Sequence, residues 1–298
     1  MMVAPSQPTL RGELRLDESL QRYNTWRIGG PARQMYLPAD VEDLATFLRT
    51  LPAEEPLLWL GLGSNLLIRD GGFGGTVILL QGRLNDMRID DGSVYAEAGV
   101  ACAKVARECA RADLSGAAFL AGIPGTIGGA LAMNAGAFGG ETWRIVTMAT
   151  TIDRRGRIRE RRADEYQVAY REVRCPAEEW FLACTLRLEH GDGAAEQAAI
   201  RALLDHRAQT QPTGQASCGS TFRNPPGDHA ARLIEASGLK GCRLGGAEVS
   251  TKHANFIINT GSASAADVEN LISHVRAEVQ RCQGVALQTE VHMVGERS

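Results

Sequence analysis

Apolar residues at Val41, Leu44, Ala45, Phe47, Leu48 and Leu51 recur at helical spacing behind Asp40, a suitable N-cap, and Pro52 and Pro56 close the run. Short apolar stretches over 57–60 and 76–80 flank glycine turns, so the first 80 residues read as a β-α-β lobe. A second lobe over 81–192 holds strand-like runs at 93–98 and 180–188, with a helix near 101–111. Past His190 an alanine-rich helix over 194–209 precedes a break at Gln211, Pro212, Thr213 and Gly214. The stretch 193–298 is then expected to carry strands at 217–222, 255–259 and 286–294, a helix over 229–237 capped by Asp228, and a helix over 265–281. Helices and strands mixed in this way predict an α+β chain without internal repeats.

The pattern fails over 115–140, where 26 residues carry no charge and hold eight of the 33 glycines. Such a length could span a bilayer, but the glycines, Pro124 and Asn134 dilute its apolar signal. Close packing of small residues is a second reading. A third is a backbone nest for an anion, because glycine admits positive φ and removes the Cβ atoms that keep N–H groups from a phosphate. A second glycine turn favours the nest: Gly61 and Gly63 precede Ser64 and Asn65. Leu66 stands where a dinucleotide fingerprint needs its third glycine, and no helix follows, which argues against a Rossmann unit. The chain has no GxxxxGK[ST] segment, which excludes a P-loop. Two such nests suit a cofactor containing a pyrophosphate.

Seven segments in order closely resemble the UDP-N-acetylenolpyruvoylglucosamine reductase (MurB) family: NTWRIGGPA (24–32), GLGSNLL (61–67), GIPGTIGGALAMNAGAFGGE (122–141), YR (170–171), SCGSTFRNPPG (217–227), KHANFIIN (252–259) and TEVHMVG (289–295). The resemblance spans about 24–295. It implies a two-lobed PCMH-type FAD-binding domain of the vanillyl-alcohol-oxidase superfamily with a smaller α+β substrate domain. Non-covalent FAD is expected on Gly61, Gly63, Ser64, Asn65 and Leu66, and on Ile123, Pro124, Gly125, Thr126, Gly128, Gly129, Asn134 and Gly136. NADPH is the implied hydride donor. UDP-N-acetylglucosamine enolpyruvate is the implied substrate and UDP-N-acetylmuramate the product, a step of peptidoglycan precursor synthesis.

The resemblance makes Ser220 the proton donor, with Arg171 and Glu290 stabilising the enolate. Each also has an ordinary reading. A serine beside glycine often only bonds backbone. Arg171 lies among Arg161, Arg162, Asp164, Glu165, Glu172 and Arg174, as a surface ion pair would. Alternation over 286–294 puts Glu290 on a polar face, where a solvated edge carboxylate is common. Period two would place Cys218 on the same strand face as Ser220. Tyr170, Arg223, Asn224, Lys252 and His253 are the candidates for binding the sugar nucleotide, and His253 reads equally well as a packing residue. Only 46 residues separate Arg171 from Cys218, too few for the inserted tyrosine loop of the longer MurB form, so the shorter form is expected. The rival within the wider fold is an FAD-dependent alcohol or lactone oxidase or dehydrogenase, although about 100 residues is small for its substrate domain.

Composition narrows the setting. A net charge of -3 and pI of about 6.1 argue against a nucleic-acid surface. The seven cysteines are scattered without a CxxC pair, so no zinc site or disulfide framework is expected. The first 19 residues lack a signal-type apolar core, which predicts a cytoplasmic enzyme with a loosely held tail. A monomer without membrane contact is expected.

Overall fold

The computed structural model describes residues 9–298; the first eight residues of the expected tail lie outside them. Part of the stretch expected to be loose is ordered. Strand β1 (Glu13–Ser19) pairs antiparallel with β2 (Pro31–Leu37). Helix α1 (Val41–Thr50) follows, capped by Asp40, whose carboxylate accepts from the Asp43 N–H at 2.9 Å. Its apolar face is buried on strands β3 (Leu57–Leu60) and β5 (Phe73–Leu79), which with β2 form the parallel part of a sheet ordered β1-β2-β5-β3. Strand β4 (Leu66–Ile68) leaves this sheet for another partner.

The second lobe is an antiparallel five-stranded sheet ordered Ile158–Arg162, Val146–Asp153, Glu179–Arg187, β7 (Ser93–Glu97) and β6 (Met87–Asp90). Helix α2 (Cys102–Arg111) lays Val105, Ala106 and Cys109 on it, as its periodicity predicts. The uncharged stretch folds into short pieces, among them a 3-10 turn at Ala118–Gly122 and helix α3 (Ile127–Met133). Among the described residues no helix is long and apolar enough to cross a membrane. Helix α4 (Gly193–Thr210) is capped by Asp192 and buries Ile200 in the same core.

The third core gathers around helix α6 (Ala265–Gln283), whose Val268, Leu271, Ile272, Val275 and Val279 pack on helix α5 (Ala230–Ala236) and a four-stranded sheet of very short strands. The first lobe contributes to it. Trp26 is fully buried there, donating through Nε1 to the Ile257 carbonyl at 2.7 Å, and Leu67 of β4 joins the same cluster. Asp70 caps α6 from outside, accepting from the N–H groups of Ala265 and Ala266 at 2.8 and 2.9 Å.

Three local expectations need correction. Of 217–222 only Ser217 is strand, as the end of Ala216–Ser217, because Gly219 turns to φ +67°. Over 286–294 only His292–Val294 is strand, and it runs parallel to β4. Helix α5 is not capped by Asp228; the Asn224 side-chain oxygen accepts from the Ala230 N–H at 3.1 Å, while Asp228 pairs with Arg232.

Candidate active site

A cavity of about 610 Å³ opens where the three cores meet, a size ordinary for a cofactor or substrate site. One wall is the loop from Gly61 to Asn65, which leaves β3 through Gly63 at φ +64°. A Cβ at Gly63 would strike the Tyr23 carbonyl, and one at Gly61 would strike the Thr126 hydroxyl. The two glycine segments therefore interlock, and larger residues would force them apart. Among the described residues the N–H groups of Gly61, Leu62, Gly63, Ser64 and Asn65 donate to no protein acceptor. The hydroxyls of Ser64 and Thr126 likewise have no protein partner there.

The facing wall is the segment from Gly122 to Gly136. Gly129 has nothing nearer its missing Cβ than the Thr126 hydroxyl at 3.9 Å, so bare backbone faces the cavity. Ile123, Pro124, Gly125, Leu66 and Gly136 also line it. Gly128 and Asn134 do not. Gly128 lets α3 approach Ala98, where a Cβ would come within 2.9 Å. Asn134 is buried at φ +40°, its side chain donating to the Ala169 carbonyl and Glu141 and accepting from the Trp143 N–H, all at 3.2 Å. Unpaired backbone donors beside apolar walls fit a pyrophosphate carried by an aromatic cofactor.

At the far end the three sequence candidates for catalysis converge, lining the same cavity from three segments. Arg171 occupies the two-residue turn between Gln167–Ala169 and Glu172–Arg174 at φ +56°, a left-handed conformation costing a non-glycine residue roughly 1–2 kcal/mol. The turn is held by Asn134 on one side and by the Arg223 guanidinium, which donates to the Arg171 carbonyl at 3.3 Å, on the other. Such a strained turn delivers the guanidinium inward. It donates to the Gly136 carbonyl at 3.0 Å, and its Nε lies 3.1 Å from Glu290 Oε1 without a well-aligned hydrogen bond.

Glu290 is not a solvated edge carboxylate: its side chain is 13% exposed. Its N–H donates to the Thr221 carbonyl at 2.8 Å, and its carbonyl accepts from the Asn65 side chain at 3.1 Å. Burial raises its pKa above the ordinary carboxylate value, against the opposing pull of Arg171 and Arg223. Ser220 follows the Gly219 turn, and its hydroxyl has no protein partner among the described residues. Asn255, which the sequence reading did not single out, locks the next residues by accepting from the Phe222 N–H at 3.0 Å and donating to the Phe222 carbonyl at 2.8 Å. Cys218 does not share a strand face with Ser220. It packs in the third core with its thiol 3.8 Å from the Leu66 carbonyl, touches the cavity, and burial pushes its pKa up.

The binding candidates lie outside the cavity lining. Tyr170 is exposed, with the Arg171 guanidinium 5.5 Å from its ring centre. Arg223 braces the Arg171 turn, and Asn224 caps α5. Lys252 donates to the Ala208 carbonyl. His253 packs against Phe256 and accepts from the Asn255 N–H at 3.3 Å, with burial lowering its pKa. Among the lining residues that sequence reasoning did not assign to the site are Phe138 and His292, which lie inside matched segments, and Arg207 and Gln211, which lie in none of them.

Two interlocked glycine loops beside a charged reacting end define a flavin-dependent oxidoreductase with a two-lobed FAD-binding domain. Residues 32–161 match the FAD binding domain family model, and residues 211–294 match that of the UDP-N-acetylenolpyruvoylglucosamine reductase C-terminal domain. The chain is 59% identical over 295 residues to the UDP-N-acetylenolpyruvoylglucosamine reductase of Alkalilimnicola ehrlichii, covering 99% of each chain. It is 57% identical over 287 residues to that of Methylococcus capsulatus, covering 96% of this chain and 94% of the relative. The crystal structure of UDP-N-acetylenolpyruvylglucosamine reductase (MurB) from Thermus caldophilus superposes with a TM-score of 0.81 at 32% identity, covering 96% of this chain and 99% of that one. This chain belongs to the UDP-N-acetylenolpyruvoylglucosamine reductase family, and the oxidase reading is not favoured.

Proposed function

We propose that this protein reduces UDP-N-acetylglucosamine enolpyruvate to UDP-N-acetylmuramate, with NADPH as the hydride donor and non-covalent FAD as the carrier. The observation that carries the proposal is the meeting of Arg171, Ser220 and Glu290 at one end of a cavity whose other walls are the two glycine loops. The donors of Gly61 through Asn65 and the Ser64 and Thr126 hydroxyls would hold the cofactor's pyrophosphate. Bound FAD supplies the hydride that reaches C3 of the enolpyruvyl group.

The protein's own residues handle charge and protons. Arg171 offers a permanent cation to the substrate carboxylate and polarises the double bond. An ionised carboxylate would oppose the developing enolate, whereas a protonated one donates to it. Burial raises the Glu290 pKa against the pull of Arg171 and Arg223, and in the proposed mechanism the carboxyl acts in its protonated form with the enolate oxygen as acceptor. The Ser220 hydroxyl gives its proton to C2 from one face and is reprotonated from solvent. Asn255 and the Gly219 turn keep that hydroxyl aimed.

An anaerobic absorbance experiment tests the reading. The flavin band is bleached with one equivalent of NADPH, then the enolpyruvyl sugar nucleotide is added. Rapid return of the oxidised band is expected; return only on admitting air would overturn the assignment. The accompanying setting is a monomer in the bacterial cytoplasm serving peptidoglycan synthesis, and sedimentation of the purified protein tests the monomer.

A further inference from the structure

Of the two arginines lining the cavity, Arg171 has a carboxyl group beside it, Glu290 Oε1 at 3.1 Å from its Nε, whereas Arg207 has no acidic side chain within ion-pair distance among the described residues. Arg207 sits near the end of α4, outside every motif the sequence reading used. Its Nε donates to the Gln211 side chain at 3.1 Å, which orients the plane of the guanidinium and leaves both terminal nitrogens without a protein acceptor. Burial without a counter-charge disfavours its cationic form and lowers its pKa, yet an arginine stays charged. A desolvated cation with a free fork of donors matches a phosphoryl group in shape and charge. Phe138 closes over the same end, its ring centre 6.1 Å from that of His206. Lys252 reaches the Ala208 carbonyl beside it and adds positive charge.

We propose that Arg207, oriented by Gln211, anchors a phosphoryl group of the nucleotide ligand at the end of the cavity formed by helix α4. The proposal rests on the function proposed above only in naming the ligands. Apart from the FAD pyrophosphate, which the loop from Gly61 to Asn65 would hold, a phosphoryl group reaches this cavity from the diphosphate of the sugar nucleotide or from the nicotinamide dinucleotide. The free cation is the same for both, and the experiment separates them.

The FAD-loaded protein is compared with Arg207→Gln and Arg207→Lys. Flavin content and Tm are recorded first, and calorimetric titrations use UDP and adenosine 2′,5′-bisphosphate as probes. Arg207→Gln is expected to weaken one probe on the order of tenfold to a hundredfold, as loss of a charge-assisted hydrogen bond does. Arg207→Lys should recover part of the loss, because charge remains without the fork. The KM for the ligand of the weakened probe should rise in parallel with kcat within a few-fold. Loss confined to UDP assigns the sugar nucleotide, and loss confined to the bisphosphate assigns the dinucleotide. Unchanged affinity for both probes overturns the proposal, as does a shift in the bound flavin's reduction potential with both affinities intact. If Arg207→Gln loses flavin or fails to fold, the lysine variant carries the same comparison. Should the wild type not turn over the enolpyruvyl substrate, the proposed reaction fails while the probe titrations still decide the role of Arg207.

Discussion

The cavity's two ends are built differently. The proposed cofactor cradle comes from two contiguous glycine segments whose contribution is backbone, with Gly61 seated against Thr126 and Gly63 against Tyr23. The reacting end comes from three segments far apart in the chain, and its contribution is side chains: Arg171 on a strained turn, Ser220 after a glycine bend, Glu290 beside the short strand that returns to β4. A cradle of that kind is limited by what the chain can adopt locally. A constellation of that kind depends on every core that positions it.

Breaking one end should therefore leave the other readable. The largest effect is expected at the reacting end: Ser220→Ala should lower turnover about 10²–10⁴-fold, the range of a lost proton donor, while NADPH still bleaches the flavin band at the wild-type rate. A comparable loss of flavin reduction would mean that the two ends are not separable. Next comes the cradle. Gly63→Ala places a Cβ against the Tyr23 carbonyl in a left-handed conformation, so FAD affinity should fall at least about tenfold, measured by fluorescence titration of the apoprotein.

The third prediction sharpens the account of Glu290. If its protonated form serves the enolate, kcat falls as pH rises through its raised pKa, and Glu290→Gln, a neutral donor, lowers kcat about tenfold while flattening that limb. The stability sign follows from the same direction. A folded pKa above the unfolded one gives stability that is full below the unfolded value and lost as pH rises through the folded value. The Tm of Glu290→Gln relative to the wild type should therefore climb with pH over that window; a flat difference would remove the burial argument. The smallest effect is expected at a joint between the lobes. Asp70→Ala removes the acceptor of the Ala265 and Ala266 N–H groups while Ser264 still caps α6, and should cost about 1 kcal/mol of stability, with kcat unchanged.

How far each end was legible follows the same division. The cradle was readable because glycine, proline and small residues carry a local conformational meaning, and Gly61, Gly63, Gly125 and Gly129 all line the cavity. Gly128 and Asn134 share the segment yet serve packing and the Arg171 turn, since neighbours such as Ala98 and Ala169 are invisible to a local reading. At the reacting end the residues were named through a resemblance, while alternation alone suggested a solvated Glu290 and a strand through Ser220. Gly219 breaks that strand, and the third core buries what period two would have left outside. Arg207 was missed because nothing in an alanine-rich helix marks it over Arg201, the other arginine there.

The amino-acid sequence by itself determined the helices with a clear apolar face, the two glycine loops and the family, because these depend on contacts within a few residues or on motifs kept in order. Tertiary structure alone decided which charges are buried, which are paired, and which side chains share the cavity. Those properties arise from desolvation and from contacts between segments, such as Trp26 with Ile257 and Glu290 with Arg171, whose partners lie far apart along the chain.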